Sequence, residues 1–214
     1  MKTIYCISGL GADEKAFSKL NIPGYHLHVI QWKLPSPKET LSEYATRMRA
    51  EITESDPVLM GLSFGGIMSI EIARQIPVKK IILISSVKTR KELPRWMKAA
   101  GRIRLHKVVP LRSSRLTEPF QNRTLGVTNE EERLMARAYR RNVDIRYTKW
   151  AVHQVLTWGN TWQPGNLYHI HGDTDRMFPI KRVTPNFTIK NGGHFMILNK
   201  AAEVSSCISS ILGG

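Results

Sequence analysis

The chain has 214 residues, 42% hydrophobic and 8% aromatic, enough to bury one sizeable core, and this composition excludes a disordered or fibrous protein. No apolar run approaches the roughly 20 residues that span a bilayer, so a transmembrane helix is not expected. The formal net charge is +15, and between Lys88 and Asn160 there are 17 Lys and Arg against 6 Asp and Glu, which puts +11 of it in the middle of the chain. Such a segment suits nucleic acid, anionic headgroups or an acidic protein as well as it makes a plain cationic surface, so charge alone assigns no function.

Met1 to Ile7 carries one charge and a short apolar run that leads into Ser8-Gly9-Leu10-Gly11. Lacking a secretory hydrophobic region and cleavage site, it reads as a first strand over Thr3 to Ile7. Asp13 is placed to cap a short helix from Glu14 to Leu20. Tyr25 to Trp32 reads as a second strand, closed by Pro35-Ser36-Pro37. From Glu39 to Ile52 the apolar residues Leu41, Tyr44, Ala45, Met48 and Ile52 follow a helical period. Val58 to Leu62 is a third strand, followed by a helix to about Gln75. Lys80 to Ser86 is a continuous apolar run of the kind found in a strand covered on both faces. This alternation calls for a parallel sheet flanked by helices.

After Ser86 the alternation stops. Residues 88–162 hold helix signals, with breaks at Gly101, Pro110, Pro119 and Gly126, and read as a helical insertion. Thr128-Asn129-Glu130-Glu131 has a capping-box pattern, with Arg140 and Arg141 near the far end of that helix, and Asp144 is placed to cap another. The sheet resumes at Asn166 to His171 and ends with a short strand from Asn186 to Lys190. A closing helix runs from Ala201 to Leu212. The division is therefore a core of 1–87 and 163–214 with a helical cap of 88–162. The cysteines, Cys6 and Cys207, fall in a strand and a helix and are expected as free thiols, which suits a cytoplasmic setting. No cysteine–histidine spacing suggests a metal site.

The chemistry-bearing stretch is Gly61-Leu62-Ser63-Phe64-Gly65-Gly66, set between a predicted strand and a predicted helix. Strand, strained turn and helix around Gly-x-Ser-x-Gly are what a nucleophile elbow requires, with glycines where strand and helix pass too close for a Cβ. Two later segments each follow a strand: His171-Gly172-Asp173-Thr174-Asp175-Arg176-Met177-Phe178-Pro179 and Gly192-Gly193-His194-Phe195. A serine hydroxyl needs a base to take its proton, and the imidazolium so formed needs a carboxylate.

Together the three segments, in the order Ser, Asp, His, resemble the α/β-hydrolase superfamily over nearly the whole chain outside the insertion. The resemblance implies a mostly parallel six-stranded sheet with a helical cap. It implies a serine hydrolase cleaving carboxylic esters or thioesters through an acyl-enzyme, with Ser63 as nucleophile, His194 as base and no cofactor. The same motifs also serve C–C hydrolases, lyases and perhydrolases, and a non-catalytic scaffold binding partners through its basic cap is a further alternative. Nucleic-acid binding is not expected, since the insertion carries no recognised motif for it. His-Gly-x-x-Asp-x-x-x-Pro points to Asp175 as the acid, with Asp173 as competitor and turn residue, and His171 as a loop-shaping residue. The implied oxyanion donors are the backbone amides of Phe64 and Leu10, with Gly9 as fallback. Many relatives carry His-Gly where this chain has Ser8-Gly9. A serine at the elbow argues against the dehalogenase and epoxide-hydrolase branches, which need a carboxylate there. The cap is expected to line the substrate pocket, with Trp96, Tyr139 and Trp150 foremost and Met97, Leu105, Val108, Val109, Leu111, Phe120, Met135 and Trp158 as further candidates. His106 and His153 also fall within it. Its arginines would suit an anionic substrate, such as a phosphopantetheine-linked acyl group or a lysophospholipid.

Overall fold

The computed structural model describes residues 1–104 and 117–213. Strands β1 (Lys2–Ile7), β2 (Tyr25–Val29), β3 (Val58–Leu62), β4 (Lys80–Ile84), β5 (Leu167–Gly172) and β6 (Phe187–Ile189) form one sheet. Its order is β2-β1-β3-β4-β5-β6, and every pairing is parallel. Because neighbouring side chains on a strand point to opposite faces, each strand feeds two cores. Tyr5, Ile7, Leu59, Ile81, Leu83 and Leu167 pack with α1 (Leu41–Arg49), α2 (Phe64–Ala73) and α6 (Ile145–Thr157). Ile4, Cys6, Met60, Ile82, Ile84 and Ile170 pack on the other side with α8 (Ala201–Gly213). Every residue of β3 is buried, as a central strand sandwiched by helices must be. The result is an α/β/α layering, and the order reverses between β1 and β3. Loops at the carboxyl ends of those two strands meet there, which is where such sheets build their sites.

Local chemistry accounts for the helix ends. Thr40 and Glu43 form a reciprocal capping box on α1. On α5 (Glu130–Asn142) the cap lies one residue later than the sequence pattern suggests. Asn129 Oδ1 accepts from the Glu132 N–H, and the buried Glu132 carboxylate accepts from the Thr128 N–H. Asp144 caps α6 as expected. Both Cys6, buried in β1, and Cys207, half-buried in α8, are free thiols. No described helix is long and apolar enough to cross a membrane.

Part of the segment expected as a helical cap over 88–162 packs into the core on one face of the sheet. Tyr147, Ala151 and Leu156 of α6, with Trp158 beyond it and Met97 of α3 (Arg95–Arg102), belong to the same core as Leu59 and Leu83. The reason is topological: β4 and β5 are parallel, so the chain must cross back over the sheet, and a helix covers the face while doing so. That leaves α4 (Glu118–Leu125) and α5, between α3 and α6, as the cap-like part of the segment.

The tightest fit is at the β3–α2 turn. A Cβ on Gly65 would stand 2.0 Å from the Ile7 carbonyl oxygen, and one on Gly61 2.3 Å from the Gly65 carbonyl oxygen. These are backbone obstacles, which cannot swing aside. Gly65→Ala is expected to lose more than about 4 kcal/mol of stability, measured by urea unfolding, because β1, β3 and α2 must separate to admit the methyl.

Candidate active site

Ser63 lies between β3 and α2 with φ 53° and ψ −116°, a combination that side-chain-bearing residues rarely adopt. The strain is held by three hydrogen bonds. The Ser63 N–H donates to Ile84 O (2.9 Å), while its carbonyl accepts from Ser86 Oγ (2.6 Å) and from the Gly66 N–H (3.0 Å). The hydroxyl is thereby fixed at the carboxyl edge of the sheet, at the amino end of α2.

His194 and Asp175 come to this point from two other loops. His194 Nε2 is 2.9 Å from Ser63 Oγ, and its Nδ1 is 2.8 Å from Asp175 Oδ2. The second carboxylate oxygen, Asp175 Oδ1, accepts the N–H groups of Met177 (2.8 Å) and Phe178 (2.9 Å). Both side chains are buried. Burial by itself would raise the Asp175 carboxyl, but the charge of His194, its hydrogen bond, His171 and the Phe178 N–H outweigh it. The net effect holds Asp175 below the ordinary aspartate value. A carboxylate accepts only, so it fixes the proton on Nδ1 and leaves Nε2 of the neutral ring to accept from the serine hydroxyl. Asp173 takes no part in this. Its Oδ1 has no hydrogen-bond partner among the described residues.

The histidines before the acid form a support under it. His171 Nε2 lies 2.7 Å from the Phe178 carbonyl, which can only accept, so that nitrogen carries the proton. Burial lowers the pKa of His171, and burial together with His171 lowers that of His169 further, so both rings are neutral. His171 Nδ1 then accepts from His169 Nε2 at 3.1 Å. His171 thus pins the far side of the turn whose amides hold Asp175, at 3.6 Å from Asp175 Oδ2. Replacing His171 by Leu, which leaves the Phe178 carbonyl unpaired, is expected to lower kcat by about 10- to 100-fold through a shifted carboxylate. Steady-state kinetics beside a thermal melt would check it.

The expected oxyanion donors adjoin the same point. Phe64 is the first residue of α2, so its N–H has no partner within the helix. The loop after β1 passes close by: a Cβ on Gly9 would be 3.6 Å from Ser63 Cβ. Where relatives carry His-Gly, the Ser8 hydroxyl donates to Ala12 O (2.6 Å) and accepts from Trp32 Nε1 (3.0 Å). Trp32 also reaches Gly9 O (3.2 Å) and stacks on the Phe64 ring, centroids 5.1 Å apart at 12°. One indole therefore braces the loop after β1 and the start of α2 together. Sequence reasoning placed Trp32 at the end of a strand and gave it no task. The hint available there was a Trp just beyond β2, the strand that pairs with β1.

The sequence matches the model of the alpha/beta hydrolase family over residues 6–206. The chain belongs to that family. No curated protein gives a significant sequence match. Among solved structures, an esterase from Thermogutta terrifontis is similar at a TM-score of 0.73 and 15% identity, covering 99% of this chain and 89% of its own. A meta-cleavage product hydrolase from Pseudomonas fluorescens gives 0.69 and 13%, covering 100% and 91%. An epoxide hydrolase from Bacillus megaterium gives 0.71 and 12%, covering 100% and 94%. At such identities the likeness carries the fold, and three different reactions on one fold leave the chemistry to the site.

In this α/β hydrolase a cavity of about 600 Å³ opens at Ser63 and His194. Leu10, Leu125, Val143, Met177 and Ile197 give it largely apolar walls, as a small-molecule pocket requires. Of the cap aromatics expected to line a substrate pocket, Tyr139 lines this cavity. Trp150 does not: its ring packs on Tyr44 (4.3 Å) and its Nε1 donates to Glu39 O (2.8 Å), fastening α6 to α1. Trp96 lies on α3, 63% exposed and away from the cavity. Met97 and Trp158 are core residues, Met135 packs against the other core and Phe120 is exposed. Leu105, His106, Val108, Val109 and Leu111 lie outside the described residues. The cap is tied to the base where it matters: the Phe195 N–H, next to His194, donates to Leu125 O at the end of α4 (2.8 Å).

Proposed function

We propose that this protein is a serine hydrolase that cleaves carboxylic esters, and thioesters as a second class, through an acyl-enzyme. The observation that carries the reading is the hydrogen-bonded series Ser63 Oγ, His194 Nε2, His194 Nδ1, Asp175 Oδ2, opening on an apolar cavity. Ser63 Oγ attacks the carbonyl carbon while its proton passes to His194 Nε2, and Asp175 steadies the imidazolium. The carbonyl oxygen takes up negative charge facing the Phe64 and Leu10 amides. As the tetrahedral intermediate collapses, the C–O or C–S bond breaks and His194 returns the proton to the leaving alcohol or thiol. Water, deprotonated by the same ring, then releases the acid and restores Ser63.

The test is a series of 4-nitrophenyl esters of rising acyl length with matched acyl thioesters, run with the Ser63→Ala variant as blank. A wild-type rate well above that blank, with a mass increment of one acyl group trapped on the protein, is expected. Rates indistinguishable from the blank across the series, with no labelling by a fluorophosphonate, would overturn the reading.

A further inference from the structure

Beside the apolar cavity lies a second, larger one of about 1190 Å³. Six arginines line it: Arg123 of α4, Arg133, Arg137, Arg140 and Arg141 of α5, and Arg176 of the loop that carries Asp175. Glu118 is the single carboxylate among its described lining residues. Its floor is the catalytic loops themselves, since Thr174 and Gly193, neighbours of Asp175 and His194, also line it. Arg140 and Arg141 line both cavities, which makes them the junction between the basic chamber and the apolar one.

This charge is not balanced from within. Glu118 Oε1 is taken by Arg137 through Nε (3.0 Å) and a terminal nitrogen (2.7 Å). Arg140 forms a longer ion pair with that oxygen at 3.7 Å, without a hydrogen bond. Both of its terminal nitrogens are shielded from solvent and have no hydrogen-bond partner among the described residues. Burial, with Arg137 nearby, lowers the Arg140 pKa and outweighs the opposing pull of Glu118. Arg133, Arg137 and Arg141 follow one another at i, i+4 on α5, a spacing at which like charges oppose helix formation. Glu130 forms an ion pair with Arg133 (2.8 Å). An anion with several acceptor oxygens would offset all of these terms, and guanidinium forks match phosphate oxygens in pairs.

We propose that the arginine-lined cavity binds a phosphate-bearing portion of the substrate. That portion sits on the alcohol or thiol side of the scissile bond, held by the row Arg133, Arg137 and Arg141. The apolar chamber at Ser63 takes the acyl group, and the leaving group passes the Arg140–Arg141 junction into the basic one. The placement of the leaving group rests on the serine-hydrolase reading; the binding of phosphate does not. A phospholipid-like glycerol phosphate and a phosphorylated carrier thiol share this chemistry, and the experiment separates them.

Two measurements decide it. The first is calorimetric titration of the intact protein and of its Ser63→Ala variant with pyrophosphate and with malonate at fixed ionic strength. Saturable pyrophosphate binding, equal in the two proteins, is expected. It should be at least about tenfold tighter than malonate and weakened about tenfold or more by Arg137→Gln combined with Arg141→Gln. Absence of saturable binding, or equal affinity for both anions, would overturn the site. Arg141→Lys, which keeps the charge and loses the fork, should bind at an intermediate level and guards against misfolding of the double variant.

The second measurement compares kcat/KM within two matched pairs: 1-butyrylglycerol with its 3-phosphate, and butyryl N-acetylcysteamine with butyryl coenzyme A. The phosphorylated member of at least one pair should exceed its partner about 30-fold or more, an advantage that collapses in 0.5 M salt, roughly a Debye length of 4 Å. The pair showing it names the source of the phosphate. Members reacting equally in both pairs would refute the substrate assignment while leaving the hydrolase reading standing. Tight pyrophosphate binding with no turnover of any ester would do the reverse.

Discussion

Ser63→Ala is expected to reduce ester turnover by about a millionfold and to abolish fluorophosphonate labelling while the protein stays folded. The size of the effect follows from what the hydroxyl does in the proposed reaction: it forms the covalent bond, so no neighbour can substitute for it. That the fold survives follows from where the strain is stored. Ser63 is held at φ 53° by backbone bonds to Ile84, Ser86 and Gly66, none of which involves the hydroxyl. Alanine keeps a Cβ at the same unfavourable angle, so its stability should match wild type closely. Glycine removes that penalty, and Ser63→Gly should be more stable than either by about 1 kcal/mol in urea unfolding, though equally inactive. A Ser63→Gly protein less stable than wild type would mean that the hydroxyl's bond to His194 outweighs the backbone strain. Residual ester turnover in Ser63→Ala above about one part in a thousand would mean that another group attacks the substrate.

How much of this was legible in the sequence depends on whether the signal was local. The elbow could be read because the glycines, the strand and the helix that make it lie within one short stretch. The strands could be read because burial on two faces leaves a continuous apolar run, as in Lys80 to Ile84. The caps of a short 3-10 helix, Glu14–Phe17, by Asp13 and of α6 by Asp144 are also local. The insertion was harder. Tyr147, Trp150 and Ala151 show helical spacing, but spacing does not say what the helix covers. Only the parallel pairing of β4 with β5 sends α6 across the sheet rather than over the site. Trp150 was misplaced for that reason, since its partners Tyr44 and Glu39 lie more than a hundred residues back in the chain. Trp32 is the converse case. Its value comes from touching Ser8, Gly9 and Phe64 at once, a coincidence in space that no sequence window contains. The charge of the middle segment was visible from the outset, but its division between solvent and a shared chamber was not.

Asp175→Asn is expected to slow turnover by about 10⁴-fold, whereas Asp173→Asn should change it by less than about threefold. The isosteric amide is a severe change because of how the carboxylate is held. Oδ1 accepts two backbone N–H groups, from Met177 and Phe178, so in the variant the amide oxygen must take that position. The NH₂ then points at His194 Nδ1, and a donor facing that nitrogen moves the ring proton to Nε2. With Nε2 protonated, the ring can no longer accept the Ser63 proton, and the base is lost without any change of shape. The pH behaviour carries the same signature. Because the Asp175 pKa is held down in the folded protein, its carboxylate contributes stability that is fully present above about pH 3.9, the unfolded value, and fades as pH falls through the lower folded value. Wild type should therefore lose stability relative to Asp175→Asn only on acidification below that range. For the same reason, an acid limb of the wild-type kcat/KM profile at neutral pH would not belong to Asp175. Asp173 has no such hold on the ring, and its Oδ1 has no hydrogen-bond partner among the described residues. Should Asp173→Asn prove the more damaging of the two, the acid of this site is Asp173 and the bond at 2.8 Å from His194 to Asp175 is structural.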